Sequence, residues 1–329
     1  MSKDRQQSSG TNSGRAAIFF RRVRHNITST KVRAPIVWWR HLGLKAEDII
    51  LGSYPRSGST WLRFTLFEIL TGEPSSFDAV NSAFRGLKDH RKALPLLPGG
   101  GRFIGTHEPF RASYRKAVYL VRDVRDVVLS EFAFEQNLGI GHESLDDYLK
   151  EFVSGRKRHG SWKNHVQSWL DSPLAKRGDL LVIRYEDLRQ DSVEIFMKIA
   201  DFLGMSRDRN LVEKAVANNS VQRMREKEDR LYTQENYSAV PSRPVKSVQP
   251  GGRFIRSGKM GGWQQQLSQG QLQVIERHAA NVLLRLQYPV VTLDSATTLP
   301  RANPVGASPH TSDNLADANM QPIPTNSRG

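Results

Sequence analysis

The stretch Gly52-Ser53-Tyr54-Pro55-Arg56-Ser57-Gly58-Ser59-Thr60-Trp61 constrains the fold more tightly than any other part of the chain. A strand-like apolar run, Ile49-Ile50-Leu51, leads into it, and a helix-like run over residues 61–70 leads out. Between them lie small residues, hydroxyls and one cation. Glycine lets backbone approach a ligand closely, the first N–H groups of a helix point outward, and the helix dipole favours negative charge there. Ser57, Ser59 and Thr60 add hydroxyl donors, and Arg56 adds a fixed positive charge. The segment therefore reads as an anion-binding turn between a strand and a helix. An ordinary strand–turn–helix with small turn residues is the competing reading.

Periodicity supplies the rest of the fold. Residues 117–121 read as a second strand, followed by a helix over 127–134. Ser144, with Asp147 three residues on, is placed to cap a helix bearing Leu145, Tyr148, Leu149 and Phe152. Trp162, Val166, Trp169 and Leu170 fall on one helical face. Residues 180–183 read as a third strand. Val193, Phe196, Ile199 and Leu203 mark a helix stopped by Gly204, and Ser268 with Gln271 is a candidate capping box for a last helix ending before Pro289. Residues 73–103, with Pro95, Pro98 and three consecutive glycines, read as irregular. Strands separated by helices predict the α/β class: a single domain with a central parallel sheet flanked by helices. In such sheets ligands bind beyond the carboxyl ends of the strands, where the anion-suited turn lies.

The turn departs from the nucleotide-triphosphate pattern G-x-x-x-x-G-K-[ST], because five residues separate Gly52 from Gly58 and Ser59 stands where that pattern needs lysine. It resembles instead the 5′-phosphosulfate loop of the sulfotransferase family, usually written YPKSGTTW, a P-loop-like element. The resemblance implies that the donor is 3′-phosphoadenosine 5′-phosphosulfate (PAPS), that 3′,5′-ADP is the product, and that Arg56, Ser57, Gly58, Ser59, Thr60 and Trp61 contact the donor. A second match follows the second strand. Arg122 and Ser130 are eight residues apart, as in the family's R-[DN]-P-[RK]-D-x-x-x-S segment, and are implied to grip the 3′-phosphate; Val124 replaces the proline. A third, residues 253–263, resembles the late R-K-G-x-x-G-x-W loop and implicates Arg256, Ser257 and Gly258, with Ser257 where lysine is usual. The fourth is His107, which occupies the catalytic position of a [KR]-x-H-x-P segment; Gly105 replaces its cation. Tyr185, in Tyr185-Glu186-Asp187, is implied to lie near adenine. Ser220 is implied to contact the donor too, although Val221 replaces the aromatic that normally follows it.

Sulfuryl transfer requires in-line attack by an acceptor oxygen and neutralisation of charge on the leaving phosphate. His107, with an ordinary imidazole pKa, suits the role of general base, and Arg56 suits electrostatic stabilisation because guanidinium does not give up its proton. No metal is required. Two other readings compete: a P-loop nucleotide kinase or hydrolase, which lacks its lysine here, and a non-catalytic polyanion-binding protein, which only the charge supports.

That charge is +15, and the first 45 residues carry ten Lys or Arg against Asp4 alone, giving +9. The segment favours acidic partners, either an acidic membrane surface or an acidic glycan, through a basic N-terminal extension; no nucleic-acid motif accompanies it, so nucleic acid is not an expected partner. The chain has no cysteine, which excludes disulfides and thiolate chemistry and fits a cytoplasmic, reducing compartment. Its apolar runs fall short of the roughly 18 residues that span a bilayer. The expected organisation is a partly disordered basic extension over 1–45, a sulfotransferase domain over 46–291, and a disordered tail over 292–329. The acceptor is a hydroxyl-bearing molecule whose pocket is expected from loops 73–103, 132–143 and 230–250, with Phe77, Phe84, Phe132, Phe134, Tyr232 and Tyr237 as candidate lining.

Overall fold

The computed structural model describes residues 33–139, 142–205, 208–233, 253–255 and 258–292. In chain order the elements are α1 (Arg33–His41), β1 (Ile49–Ser53), α2 (Ser59–Thr71), α3 (Phe77–Ala83), β2 (Arg85–Gly86), β3 (Phe103–Thr106), β4 (Lys116–Val121), α4 (Val124–Asn137), α5 (Leu145–Val153), α6 (Trp162–Leu170) and α7 (Pro173–Arg177). They continue with β5 (Leu180–Arg184), α8 (Tyr185–Gln190), α9 (Ser192–Leu203), α10 (Arg209–Asn218), α11 (Val221–Tyr232), α12 (Trp263–Gln266) and α13 (Gln269–Arg285).

Among the described residues five strands form one sheet, ordered β2-β3-β1-β4-β5, and every neighbouring pair is parallel. Alternation along the strands divides the core in two. Ile50, Ile104, Ala117, Tyr119 and Val121 face a cluster built with Trp162, Val166 and Trp169 of α6 and with Ile275, Ala279 and Val282 of α13. Ile49, Leu51, Phe103, Val118, Leu120, Leu181 and Ile183 face the other cluster, with Leu62, Phe64 and Leu66 of α2 and Phe196 and Ile199 of α9. Apolar residues on both faces are what a sheet covered by helices on both sides demands.

Local chemistry sets the helix ends. Asp123 caps α4 by accepting from Arg125 N at 2.9 Å. Ser144 accepts from Asp147 N, and Ser268 and Gln271 form the reciprocal capping box. Gly72 ends α2 in the left-handed conformation. Residues 73–103 depart from the irregular reading. They hold α3, capped by Ser76, then β2, and β3 begins at Phe103. Each piece is short, and two- and four-residue strands containing Gly86 and Gly105 leave no apolar period to detect.

Candidate active site

β1 is the middle strand, with β3 on one side and β4 on the other. Chain leaving β1 passes through α2 and α3 to β2 and β3 on one side, while β4, which follows β3 in sequence, lies on the opposite side of β1. This is a topological switch point, where the strand ends open a crevice. Four segments leave the carboxyl ends here: residues 54–58 after β1, His107 after β3, Arg122 after β4 and Tyr185 after β5. They line a cavity of about 460 Å³.

The turn after β1 is built around two left-handed residues, Arg56 (φ 66°) and Gly58 (φ 96°). Gly58 is held under the ring of Tyr185: a Cβ at this position would stand 2.6 Å from two ring carbons. The ring is fixed in turn by Arg122, whose guanidinium lies 4.6 Å from its centroid, and by its own Oη, which donates to the Gly258 carbonyl at 3.3 Å. Arg122 also donates to the carbonyls of Arg56 (3.4 Å) and Lys259 (2.9 Å). One side chain thus joins the β1 turn, the β4 turn and the late loop. Arg56 Nε donates to Ser130 Oγ at 3.3 Å, and its guanidinium packs between the rings of Phe134 (4.5 Å) and Phe254 (5.1 Å). Ser57 Oγ and Arg122 Nε are buried without a hydrogen-bond partner among the described residues. Cationic donors, a glycine-tight turn and unmatched buried polar atoms fit an anionic ligand of nucleotide size.

Two carboxylates hold the late loop in place. Asp126 accepts from Gly261 N (2.9 Å) and Trp263 N (3.2 Å) and stands 3.6 Å from Arg122. Glu228 of α11, fully buried, accepts from Phe254 N and Ile255 N at 2.8 and 3.0 Å. Asp123 and Arg125 belong to the framework rather than to solvent. Arg125 is fully buried, pairs with Asp123 and with Glu276 of α13, and lies 3.8 Å from the Trp263 ring centroid.

His107 sits at the other side of the cavity. Its Nδ1 is 2.9 Å from the Ser53 carbonyl and 3.2 Å from Ser53 Oγ. A carbonyl only accepts, so Nδ1 carries the proton and Nε2 is the basic nitrogen. His107 is exposed on the cavity wall, with the turn after β1 and its neighbours packed around the ring. Desolvation by the surrounding protein lowers its pKa, the Ser53 carbonyl opposes that, and Arg63 adds to the lowering. Behind it His165 of α6 donates from Nε2 to the His107 carbonyl at 3.1 Å, while its Nδ1 meets Tyr119 Oη at 3.0 Å. Burial holds His165 neutral, with its pKa lowered to about 3.

Of the residues singled out by sequence, Arg56, Gly58, Ser59, Thr60, Trp61, His107, Arg122, Ser130, Tyr185 and Gly258 line this cavity. Ser57 lies buried beneath the turn rather than on the lining. Ser220 is exposed and caps α11 by accepting from Arg223 N, while its neighbour Val221 lines the cavity. Arg256 and Ser257 lie outside the described residues. Of the candidate acceptor aromatics Phe134 lines the cavity; Phe77 and Phe84 are core, Phe132 packs on Tyr148, and Tyr237 lies outside the described residues. Sequence reading missed His165, Glu131 and the segment Lys157-Arg158-His159. His165 was detectable as a histidine on the buried face of α6. The others belong to no recurring pattern.

A family model described as the sulfotransferase domain matches residues 46–286. The chain belongs to the sulfotransferase family. It is 29% identical over 247 residues to sulfotransferase 2A6 of Mus musculus, covering 71% of this chain and 83% of that protein. The match to 3-beta-hydroxysteroid sulfotransferase of Cavia porcellus has the same identity, length and coverage. Among solved structures, retinol dehydratase in a complex with retinol and PAP shares the fold, with a TM-score of 0.59 at 20% identity over 74% of this chain and 83% of that one. The protein is a PAPS-dependent sulfotransferase acting on a hydroxyl acceptor, in a family that works without metal.

Proposed function

We propose that His107 is the general base and Arg56 the charge stabiliser of sulfuryl transfer, with the donor gripped by the residues around them. Convergence of Arg56, His107, Arg122, Ser130 and Tyr185 on one cavity supports this reading. Ser59, Thr60 and the first N–H groups of α2 hold the 5′-phosphosulfate, supported by the buried hydroxyl of Ser57. Arg122 and Ser130 hold the 3′-phosphate. Tyr185, Trp61 and Gly258 flank the nucleoside, and Arg256, Ser257 and Ser220 belong to the same proposed donor shell.

His107 Nε2 accepts the acceptor's hydroxyl proton as that oxygen attacks sulfur in line and the S–O bond to the phosphate breaks. Arg56 keeps its proton and offsets charge growing on the transferring group and the leaving oxygen. The Ser53 carbonyl fixes the tautomer that makes Nε2 basic, and His165 fixes the backbone that carries it.

Three further proposals attach to this reading. The working domain spans 46–291, flanked by an extension and a tail. The compartment is the cytoplasm; no described helix is long and apolar enough to cross a membrane. The basic extension docks on an acidic lipid surface or acidic glycan, supported by exposed Trp38 (67%) and Trp39 (64%) of α1, beside Arg40.

Calorimetry and turnover test the roles together. Arg122→Ala should weaken 3′,5′-ADP by about 2–4 kcal/mol while AMP changes little, as for loss of one partner from a charge-assisted pair. His107→Ala should keep 3′,5′-ADP affinity and lower kcat by about 10²–10⁴. Equal losses for both nucleotides, or unchanged turnover, would overturn the respective role.

A further inference from the structure

A second, smaller cavity of about 180 Å³ adjoins the first. Ser59 and His107 line both, so the two spaces meet where sulfuryl transfer is proposed. The volume is many times the roughly 10–15 Å³ that one water requires. Two glycines leave this room. Gly105 of β3 pairs with Gly86 of β2 and with Leu51 of β1, so a side chain at either glycine would project from the sheet face that Leu51 presents to α2. A Cβ at Gly86 would meet nothing nearer than the Gly105 carbonyl oxygen at 3.7 Å, and one at Gly105 nothing nearer than the Arg85 carbonyl oxygen at 3.9 Å. Neither glycine has a positive φ, so the backbone does not call for glycine at these positions.

Arg63 of α2 lines the same cavity. Both of its hydrogen bonds leave from Nη2, to Asn81 Oδ1 at 2.8 Å and to the Phe84 carbonyl at 3.0 Å. Its Nε is buried and has no acceptor among the described residues. No Asp or Glu lines this cavity, whereas Glu131 and Glu135 stand among the cations of the larger one. Desolvation lowers the Arg63 pKa to about 10, with no carboxylate to oppose it. A guanidinium withdrawn from water without a counter-charge is costly, and its spare N–H groups call for an acceptor. Asn81 and Phe84 fix the Nη2 end, so the group is already oriented when a ligand arrives.

We infer that the smaller cavity is an acceptor subsite in which Arg63 binds a carboxylate, and hence that the acceptor is a hydroxy acid, with its hydroxyl at His107 and its acid group at Arg63. The inference rests on the sulfotransferase reading of the site. Charge and shape select the class. A cationic substituent is repelled by Arg63, and an apolar one would seal the guanidinium against hydrocarbon. A carboxylate matches both its charge and its planar array of donors. Gly105 stands where the family's segment carries a cation. This chain instead has open space at that point of β3 and a charge supplied from α2. The substituent that fills the space therefore comes with the acceptor, beside the histidine that takes its proton.

The test uses the full chain, labelled PAPS and the three monohydroxybenzoate isomers, each against its hydroxybenzamide, a neutral isostere. The isomers span a range of distances between hydroxyl and acid group. At least one acid should be preferred over its amide by about 10–100-fold in kcat/KM, the range expected of a hydrogen bond to a charged group. The same acid should bind the complex with 3′,5′-ADP more tightly than its amide in calorimetry. Arg63→Met should erase the preference through KM. Because Arg63 also ties α2 to Asn81 and Phe84, Gly105→Val is the second probe. It leaves Arg63 in place, fills the cavity, and should raise KM for the acid while phenol, which needs only the space at His107, keeps its kcat/KM. Both variants should bind 3′,5′-ADP like the parent. Acids and amides used and bound equally, neither of them bound, or a preference that survives both variants overturns the inference and leaves the donor site standing. An equal fall in kcat for acids, amides and phenol in Arg63→Met, with KM unchanged, also overturns it, by assigning Arg63 to the sulfuryl group. Failure of the parent protein to bind 3′,5′-ADP would instead sink the donor reading beneath it.

Discussion

Gly58→Ala is the sharpest probe of how the donor turn is built. Gly58 has φ 96°, and a methyl group there would stand 2.6 Å from Tyr185 Cδ2 and Cε2. A left-handed alanine costs about 1–2 kcal/mol. Overpacking against a ring that cannot move away adds about 1–3 kcal/mol. The ring is so confined because Arg122 lies over it and its Oη is tied to the Gly258 carbonyl. The sum is about 2–5 kcal/mol, or a fall in Tm of about 5–15 °C for a domain of this size. Gly72→Ala is the control. Gly72 is also left-handed, at φ 72°, but a Cβ there meets nothing within 4 Å, so it carries the backbone cost without the collision. Thermal unfolding followed by circular dichroism, with calorimetric titration of 3′,5′-ADP, reads both effects. Gly58→Ala should melt well below Gly72→Ala and bind 3′,5′-ADP at least about tenfold more weakly. In a double-mutant cycle Tyr185→Ala should cost less in the Gly58→Ala background than in the parent. If the two glycine variants melt together and both keep full 3′,5′-ADP affinity, the close approach of ring and turn carries no weight and the reasoning fails.

Desolvation lowers the His107 pKa, so its neutral, basic form persists to lower pH; the acid limb of kcat/KM should have its midpoint below the usual 6.5 and be absent from the residual activity of His107→Ala. His165 titrates near 6.5 when unfolded but near 3 when folded, so the unfolded chain binds more protons between those values and stability falls as pH drops through that window. His165→Gln should therefore lose less Tm than the parent between pH 6.5 and 4. Deleting residues 1–30 should leave 3′,5′-ADP affinity intact and abolish salt-sensitive co-sedimentation with anionic vesicles; a full-length chain that ignores both such vesicles and acidic polysaccharide at low salt would refute the docking proposal.

The long-period and cap-bearing parts of this molecule were legible in sequence. The Trp162 stripe, the Ser144 cap and the Ser268–Gln271 box each combine a local chemical signal with a buried face, and each stands in the structure. β2 and β3 were not legible, because strands of two and four residues hold too few side chains to show an alternation, and pairing with β1 makes them. The same divide runs through the site. Arg56, Arg122 and Ser130 sit in patterned segments. Glu131 and Lys157 lie 26 positions apart, on a helix and a loop that only the fold brings to one wall, so no spacing announces them. The buried pair of Asp123 and Arg125 has no local signal either, because Glu276, far along the chain, completes its network.

The way Arg122 is bonded bears on how the protein is assembled. Its link to the Lys259 carbonyl closes 137 positions of chain, and that of Arg56 to the Phe254 carbonyl closes 198. Each parallel strand pair likewise waits for an intervening crossover, so few of the decisive contacts are local and loop closure delays them. A nascent or truncated chain that stops before residue 253 possesses the turn, the histidine and most of the sheet, yet has no closed nucleotide pocket. Competence for the donor therefore arrives with the last elements to be synthesised. Because that pocket exists only in the finished fold, each tenfold excess of donor over its Kd stabilises the whole domain by about 1.4 kcal/mol, making nucleotide supply itself a determinant of how long a folded molecule survives.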